Sequence, residues 1–199
     1  MQLRQANKQS TAVRVTGLVL AGGAATRMGG EDKGLVRFEG RPLVEHVLGR
    51  LRGQCSTIVI SANRNLDVYR GYGCEVVSDC TGGFQGPLTG IYSSLALVAT
   101  PFVQIAPCDA PYLPRCLTER LLTVLEAHPE SLCAAPVVQG HTEPLFMVMR
   151  TESRKALGAF LAAGGKRVHE WVRRSNCIWV EFEDPFDFSN FNSKEDLKS

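Results

Sequence analysis

The sequence predicts an α/β fold of three layers, in which a mostly parallel, twisted sheet carries helices on both faces. Strand-like and helix-like apolar patterns alternate along the chain, which is typical of parallel strands joined by crossover helices. The first strand segment, residues 13–21, becomes continuously apolar and then runs into glycines. That pattern indicates a strand that is buried on both faces and leads into a ligand loop.

The first half of the chain continues this alternation. Apolar residues recur at helical spacing from Leu43 to Leu51, and Pro42 suits the first turn of that helix. Two strands and an apolar helix follow, predicted at residues 57–62, 75–78 and 88–99. The helix has its start signal in Gly86 and Pro87, since proline is favoured at the first helical position.

The second half of the chain repeats the pattern with a strand that ends shortly before Asp109, then a helix, two strands and a helix. The predicted segments are residues 101–106, 114–128, 132–138, 144–149 and 152–163. Residues 1–12 are mostly polar and lack an apolar run of signal-peptide length, so we expect a disordered N-terminal arm. Residues 13–199 are then expected to form a single domain.

The composition excludes several classes of protein. A length of 199 residues with 44% hydrophobic and 21% charged residues suits one well-buried core. The net charge of +2 is too small for a nucleic-acid-binding surface, and no apolar window is long enough to span a membrane. The seven cysteines form no CxxC pair and are expected to be reduced thiols. We therefore expect a cytoplasmic protein that binds a small anionic ligand in a cleft.

Residues 17–34 predict a phosphate-binding loop, because an apolar strand runs directly into glycines and two cations. Glycines such as Gly22 and Gly23 let backbone amides approach phosphate oxygens closely. Arg27 offers a planar fork of donors, and Lys33 offers a mobile point charge. The segment matches neither the P-loop nor the dinucleotide pattern, since Lys33 precedes a glycine and two glycines are adjacent.

Polar residues lie at or just beyond the ends of three other predicted strands, at Ser61, Asp79 and Asp109. Because the carboxyl ends of parallel strands meet at one edge of a sheet, these residues should lie beside the glycine-rich loop. Asp109 is the candidate magnesium ligand, since Mg²⁺ takes one or two carboxylates together with phosphate oxygens and waters. The alternative for Asp109 is a cap of the loop before Pro111, and Asp79 can likewise either bind the nucleotide or close a turn.

Two groups of residues in the last third of the chain are candidates for binding a second anion. Asn190 and Asn192 would point to the same side of an extended segment, although asparagines near a chain end often cap helices. Arg167 is the best-placed cation of a basic stretch, since it follows two glycines; a solvated helix face is the alternative.

The segment Leu-Ala-Gly-Gly-Ala-Ala-Thr-Arg-Met-Gly-Gly-Glu-Asp-Lys, residues 20–33, resembles the signature loop of the nucleotidyltransferases that activate sugars and cofactors. Within them it most resembles the molybdenum cofactor guanylyltransferases. Three further segments resemble the same family in order and spacing: residues 78–90, residues 106–114 and residues 189–193. The resemblance covers about residues 14–197.

The resemblance implies a Rossmann-like fold of the nucleotide-diphosphosugar transferase type and a Mg²⁺-dependent reaction. GMP would pass from GTP to the terminal phosphate of molybdenum-bound molybdopterin, with release of pyrophosphate. The implied catalytic residues are Arg27, Lys33 and Asp109, with Asp109 as the metal ligand. The implied nucleotide site consists of Leu20, Ala21, Gly22, Gly23, Lys33, Ser61, Asp79 and Asp109. The implied acceptor site contains Asn190 and Asn192, and the basic stretch adds Arg167 to it.

This chain departs from the family pattern at Ser61, which takes the place of an asparagine. The missing base or ribose contact is then expected from Asn63 or from the backbone. The resemblance also implies transient contact with a molybdoenzyme or its insertion chaperone. A cytidylyl- or sugar-nucleotidyltransferase that uses the same loop, and a GTP-binding module without catalysis, are the alternative functions.

Overall fold

A computed structural model describes residues 14–22, 32–79 and 86–191 of the chain. The predicted N-terminal arm lies outside these residues. The strands are β1 (Val15–Leu20), β2 (Arg37–Phe38), β3 (Arg41–Pro42), β4 (Thr57–Ser61), β5 (Glu75–Val77), β6 (Phe102–Pro107), β7 (Cys133–Val138), β8 (His141–Thr142), β9 (Val148–Arg150) and β10 (Ile178–Phe182). The α-helices are α1 (Leu43–Leu51), α2 (Leu66–Arg70), α3 (Pro87–Ser94), α4 (Leu117–Glu126), α5 (Arg154–Ala162) and α6 (Val168–Arg174).

The predicted mixed, mostly parallel sheet is confirmed. Within the described residues its strand order is β10-β7-β9-β6-β1-β4-β5, and β8 pairs with the carboxyl-terminal end of β7. The pairs that β1 makes with β4 and β6, and that β4 makes with β5, are parallel, whereas β9 runs antiparallel to both of its neighbours. Strands β2 and β3 form a separate antiparallel hairpin.

Helices cover both faces of the sheet, as the sequence predicts. Side chains alternate along β1, so that Val15 and Val19 join one core with α1 and α4, whereas Leu18 joins a second core with α3, α5 and α6. The buried stripe of α1 contains the apolar residues that predict this helix. None of the helices in the described ranges is long and apolar enough to cross a membrane.

Several predicted boundaries differ from the structure. The helix predicted at 88–99 ends at Ser94, and the strand predicted at 144–149 begins with a 3₁₀ turn at Pro144–Phe146. Helices α2 and α6, strand β10 and the two-residue strands β2, β3 and β8 were not predicted. Helix α2 has only five residues, and β10 is a partly exposed edge strand although four of its five residues are apolar.

The carboxyl ends of four neighbouring strands form one row at the edge of the sheet. Leu20 at the end of β1 is in register with Pro107 of β6 and Ser61 of β4, and Ser61 is in register with Val77 of β5. The loops that follow these strands therefore begin side by side, as expected for the binding edge of an open α/β sheet.

Candidate active site

Backbone hydrogen bonds extend the sheet past the strand ends and fix the start of each loop. The Cys108 amide donates to the Leu20 carbonyl at 3.1 Å, and the Ala21 amide donates to the Ser61 carbonyl at 2.8 Å. The Ala21 amide is therefore already used in the sheet. It is thus not one of the amides that could bind phosphate as predicted, and the next residue, Gly22, lies beside the Asn63 side chain.

Lys33 and Asp109 meet at the centre of this edge. Lys33 begins a 3₁₀ turn at Lys33–Leu35, and Asp109 lies two residues beyond β6. The Lys33 ammonium is in direct contact with Oδ2 of Asp109, and the two side chains are only 26% and 9% exposed. The structure therefore brings together the lysine and the carboxylate that the sequence singles out.

The contact between Lys33 and Asp109 indicates that this position accepts a cation. The described residues contain no group of three or more histidine, cysteine, aspartate or glutamate side chains that could hold a metal ion. Within the described residues a metal ion at Asp109 would therefore have one carboxylate ligand, and phosphate oxygens and water would supply further ligands. That donor set is the one Mg²⁺ prefers, so the residues present fit a magnesium ion that arrives with a nucleotide.

Asp79 is held by Asn63, which the sequence singles out only as a replacement for the contact missing at Ser61. The Asn63 side-chain amide donates to Oδ2 of Asp79 at 2.8 Å, and its carbonyl oxygen accepts from the Asp79 amide at 2.9 Å. Asn63 thus fixes both the backbone and the carboxylate of Asp79. The Asn63 side-chain amide carries two N–H hydrogens and its bond to Asp79 uses one of them, so the expectation that Asn63 replaces the contact missing at Ser61 stays a prediction.

Ser61 and Asp79 both lie against Gly90 of α3, which has no side chain to exclude them. A Cβ atom at Gly90 would be 2.5 Å from the Ser61 hydroxyl and 3.4 Å from Oδ1 of Asp79. This close approach explains why a glycine occupies a position in the middle of a helix. Three segments that are far apart in sequence therefore converge at the ends of β4 and β5.

Asp32 is a residue that the sequence analysis did not assign to the site. Its carboxylate is buried and accepts hydrogen bonds from the Tyr69 hydroxyl, the Asn65 side chain and the Gly34 amide. Arg64 approaches the same carboxylate at 3.6 Å. The available signal was its place directly before Lys33 at the end of the glycine-rich segment, whereas Tyr69 lies on the unpredicted helix α2.

Cys108 precedes Asp109 but has no nucleophilic character. Its side chain is buried, and burial together with the neighbouring Asp109 raises the pKa of the Cys108 thiol well above its ordinary value. The thiol is therefore protonated at neutral pH, and it packs against Gly34 as a small apolar group.

The predicted acceptor residues have different surroundings. Asn190 is brought to the Asp109 loop by the next residue, Phe191, whose amide donates to the Asp109 carbonyl at 3.0 Å. Arg167 lies directly before α6 and is exposed, and the preceding Lys166 carbonyl lies near Gly86 at the start of α3. Gly23, Arg27 and Asn192, which the sequence also assigns to the site, lie outside the described residues.

Residues 17–177 match the MobA-like NTP transferase domain family. A molybdenum cofactor guanylyltransferase from Burkholderia vietnamiensis is 44% identical over 191 residues, which cover 92% of this chain and 93% of that protein. Another from Polynucleobacter asymbioticus is 42% identical over 187 residues, covering 92% and 94% of the two chains. This chain belongs to the MobA-like nucleotidyltransferases. The family that its motifs resemble is thereby confirmed, and so is its assignment as a transferase enzyme.

Solved structures show how widely this MobA-like fold is shared. Molybdopterin-guanine dinucleotide biosynthesis protein A from Archaeoglobus fulgidus superimposes with a TM-score of 0.74 at 21% identity, over 92% of this chain and 95% of that one. A CMP:2-keto-3-deoxy-manno-octonic acid synthetase in complex with CTP superimposes with a TM-score of 0.72 at 11% identity, over 93% and 95% of the two chains. At these identities the likeness confirms the fold alone.

Proposed function

We propose that this chain transfers GMP from GTP to the terminal phosphate of molybdenum-bound molybdopterin and releases pyrophosphate. The observation that carries the proposal is the contact of Lys33 with Asp109 at the carboxyl edge of the sheet, in a chain whose relatives are named as molybdenum cofactor guanylyltransferases. The cofactor is Mg²⁺, held by Asp109 and by the phosphates of the nucleotide.

In the proposed reaction an oxygen of the acceptor phosphate attacks the α-phosphorus of GTP. The bond between that phosphorus and the oxygen bridging to the β-phosphate breaks, and pyrophosphate leaves with the bond's electron pair. The attacking oxygen is already anionic, so the reaction needs no strong general base. Charge repulsion and the charge that develops on the phosphates dominate the barrier, so positioning and electrostatic stabilisation are the main catalytic effects.

The residues of this chain then have separate tasks. Lys33 moves from Asp109 to the phosphates and stabilises developing negative charge together with Arg27. Asp79, held by Asn63, and Ser61 bind the nucleoside side of GTP next to Gly90. Charge neutralisation at the phosphate oxygens is the chemistry that magnesium supplies when it is bound.

The acceptor phosphate is proposed to lie beside the Asp109 loop, away from the nucleoside site at Ser61 and Asp79. Asn190 is tied to the Asp109 loop through the Phe191 amide, and Arg167 provides an exposed cation. Asn192 completes the proposed acceptor group. A cytoplasmic location and transient docking to a molybdoenzyme or its chaperone stay predictions.

Calorimetry of nucleotide binding tests the proposal. GTP, CTP, ATP and UTP are titrated at one salt concentration, with and without Mg²⁺, into the wild type and an Asp109→Asn variant. We expect a preference for GTP that depends on Mg²⁺ and weakens in the variant. A preference for CTP would keep the enzyme class and overturn the substrate, and absence of binding by all four nucleotides would overturn the proposal.

Turnover distinguishes an enzyme from a module that only binds GTP. Lys33→Ala should lower the rate of pyrophosphate release about a hundredfold or more if Lys33 acts in the transition state. Weaker GTP binding with unchanged turnover would contradict that role. If the wild type binds Mg-GTP tightly but releases no pyrophosphate when the acceptor is present, the result would favour a GTP-binding module without catalysis.

A further inference from the structure

The residue directly before Lys33 is a buried carboxylate with an unusual number of donors. The side chain of Asp32 is only 4% exposed. Its Oδ1 accepts from the Tyr69 hydroxyl at 2.7 Å and from the Gly34 amide at 3.3 Å, and its Oδ2 accepts from the Asn65 side chain at 2.9 Å. A buried carboxylate that accepts this many hydrogen bonds is fixed in position.

The same carboxylate determines where the backbone of Lys33 lies. Asp32 caps the 3₁₀ turn Lys33–Leu35 through the Gly34 amide, and its carbonyl accepts from the Leu35 amide at 2.9 Å. The turn is therefore attached to α2 through Asp32 on one side. On the other side it is attached to the end of β6, where Lys33 contacts Asp109.

Close packing prevents this turn from shifting. A Cβ atom at Gly34 would be 2.5 Å from the Tyr69 hydroxyl and 3.3 Å from both Cβ and Sγ of Cys108. The turn thus lies between the Tyr69 hydroxyl and Cys108, the residue that precedes Asp109 in the loop after β6. Burial, the neighbouring Cys108 and the hydrogen bond to Asp32 raise the pKa of Tyr69, so its hydroxyl is a neutral donor at physiological pH.

We propose that Asp32 is the positioning residue of Lys33, and that the Tyr69 hydroxyl holds the Asp32 carboxylate in place for this role. The proposal rests on the proposed function of Lys33 as the cation of the transition state. Lysine has a long and flexible side chain, so the placement of its backbone decides where the ammonium can reach. Loss of about an ångström of precision in a catalytic group can cost a hundredfold in rate.

The decisive variant is Tyr69→Phe, because it removes one hydroxyl and preserves the packing of the ring. Tyr72→Phe is the matched control: its ring contacts that of Tyr69, with centroids 6.4 Å apart. We expect Tyr69→Phe to lower kcat about tenfold while KM for GTP changes less than about twofold. Asp32→Asn should have the same kind of effect, and Tyr72→Phe should have neither.

A double-mutant cycle separates positioning from a general structural effect. If Tyr69 acts through Lys33, Tyr69→Phe should change the residual turnover of Lys33→Ala by less than about twofold. The same fold loss in both backgrounds would overturn the proposal, because it would show that Tyr69 acts elsewhere.

A chemical measurement that uses no nucleotide separates failure of this inference from failure of the proposed function. Lysine side chains of the native protein are labelled with trinitrobenzenesulfonate, and the rate at each lysine is followed by mass spectrometry of peptides. We expect Tyr69→Phe and Asp32→Asn to change the rate at Lys33 at least about threefold, whereas exposed Lys155 on α5 keeps its rate. An unchanged rate at Lys33 in both variants would overturn the proposal even if the enzyme is active.

Discussion

Replacement of Lys33 by methionine should allow a divalent ion to bind Asp109 in the absence of nucleotide. The ammonium of Lys33 contacts the carboxylate oxygen of Asp109 that a metal ion would need. A metal ion that bound Asp109 as proposed would therefore compete with this ammonium for the carboxylate. Methionine preserves most of the side-chain volume and removes the competing charge.

The size of the effect follows from the burial of the pair. Asp109 is almost fully buried and Lys33 is three-quarters buried, so their contact is worth more than an exposed salt bridge. Hydrogen bonds to charged groups contribute about 1.5–3 kcal/mol. Removal of this competition should thus raise the affinity for a divalent ion about 10- to 100-fold, since about 1.4 kcal/mol corresponds to a factor of ten.

The assay is titration with Mn²⁺ without nucleotide, with free ion measured by electron paramagnetic resonance at fixed pH and salt. Lys155→Met is the matched control, because it removes the same charge from an exposed position on α5. Addition of Asp109→Asn to Lys33→Met should abolish the gain. An affinity that Lys33→Met leaves unchanged, or a gain that survives Asp109→Asn, would refute the reasoning.

Three further predictions concern packing and stability. Gly90→Ala should lower the free energy of unfolding by about 1 kcal/mol, because the new methyl group meets the Ser61 hydroxyl, and Ser61→Ala in the same chain should restore most of it in urea unfolding. Gln104→Leu should lower the free energy of unfolding by about 1–3 kcal/mol, because the Gln104 amide donates to the buried Phe146 carbonyl at 2.9 Å. The urea midpoint should fall while kcat stays unchanged. Burial raises the pKa of Cys55 from 9.0 to about 12, so the folded state retains a proton that the unfolded state loses above pH 9. Between pH 8 and pH 10.5 the free energy of unfolding of the wild type should therefore fall by about 2 kcal/mol more than that of Cys55→Ala. Equal decreases in urea titrations of the two proteins would contradict the raised pKa of Cys55.

The sequence predicted those parts of the site that follow long apolar strands. The ends of β1, β4, β5 and β6 could be located from apolar runs, and the parallel arrangement of such strands brings Lys33, Ser61, Asp79 and Asp109 to one edge. The sequence could not predict the hydrogen bonds that hold these residues. Asn63 and Asp32 act through side chains whose partners are set by the packing of short elements.

Tyr69 shows why the hydrogen bonds that hold the site residues could not be predicted from the sequence. It lies on the five-residue helix α2, and Asn65, the residue directly before this helix, adopts a left-handed backbone conformation with φ of 50°. So short a helix has no reliable apolar period, and its stability comes from tertiary contacts. Nothing in the local sequence indicates that the hydroxyl of Tyr69 reaches Asp32, because the two residues are 37 positions apart.

The antiparallel strand β9 divides the sheet into two blocks that can change separately. On one side of it lie the parallel strands β6, β1, β4 and β5, which carry Lys33 and Asp109; on the other side lie β7 and β10, which are parallel to each other. The chain returns from β10 to the Asp109 loop, where the Phe191 amide bonds to the Asp109 carbonyl. A mutation in the second block can therefore act on the Asp109 loop through this crossing segment, without altering the strand pairs of the first block. The Asp109 loop is thus held from two parts of the sheet, by β6 before it and by the segment that returns from β10.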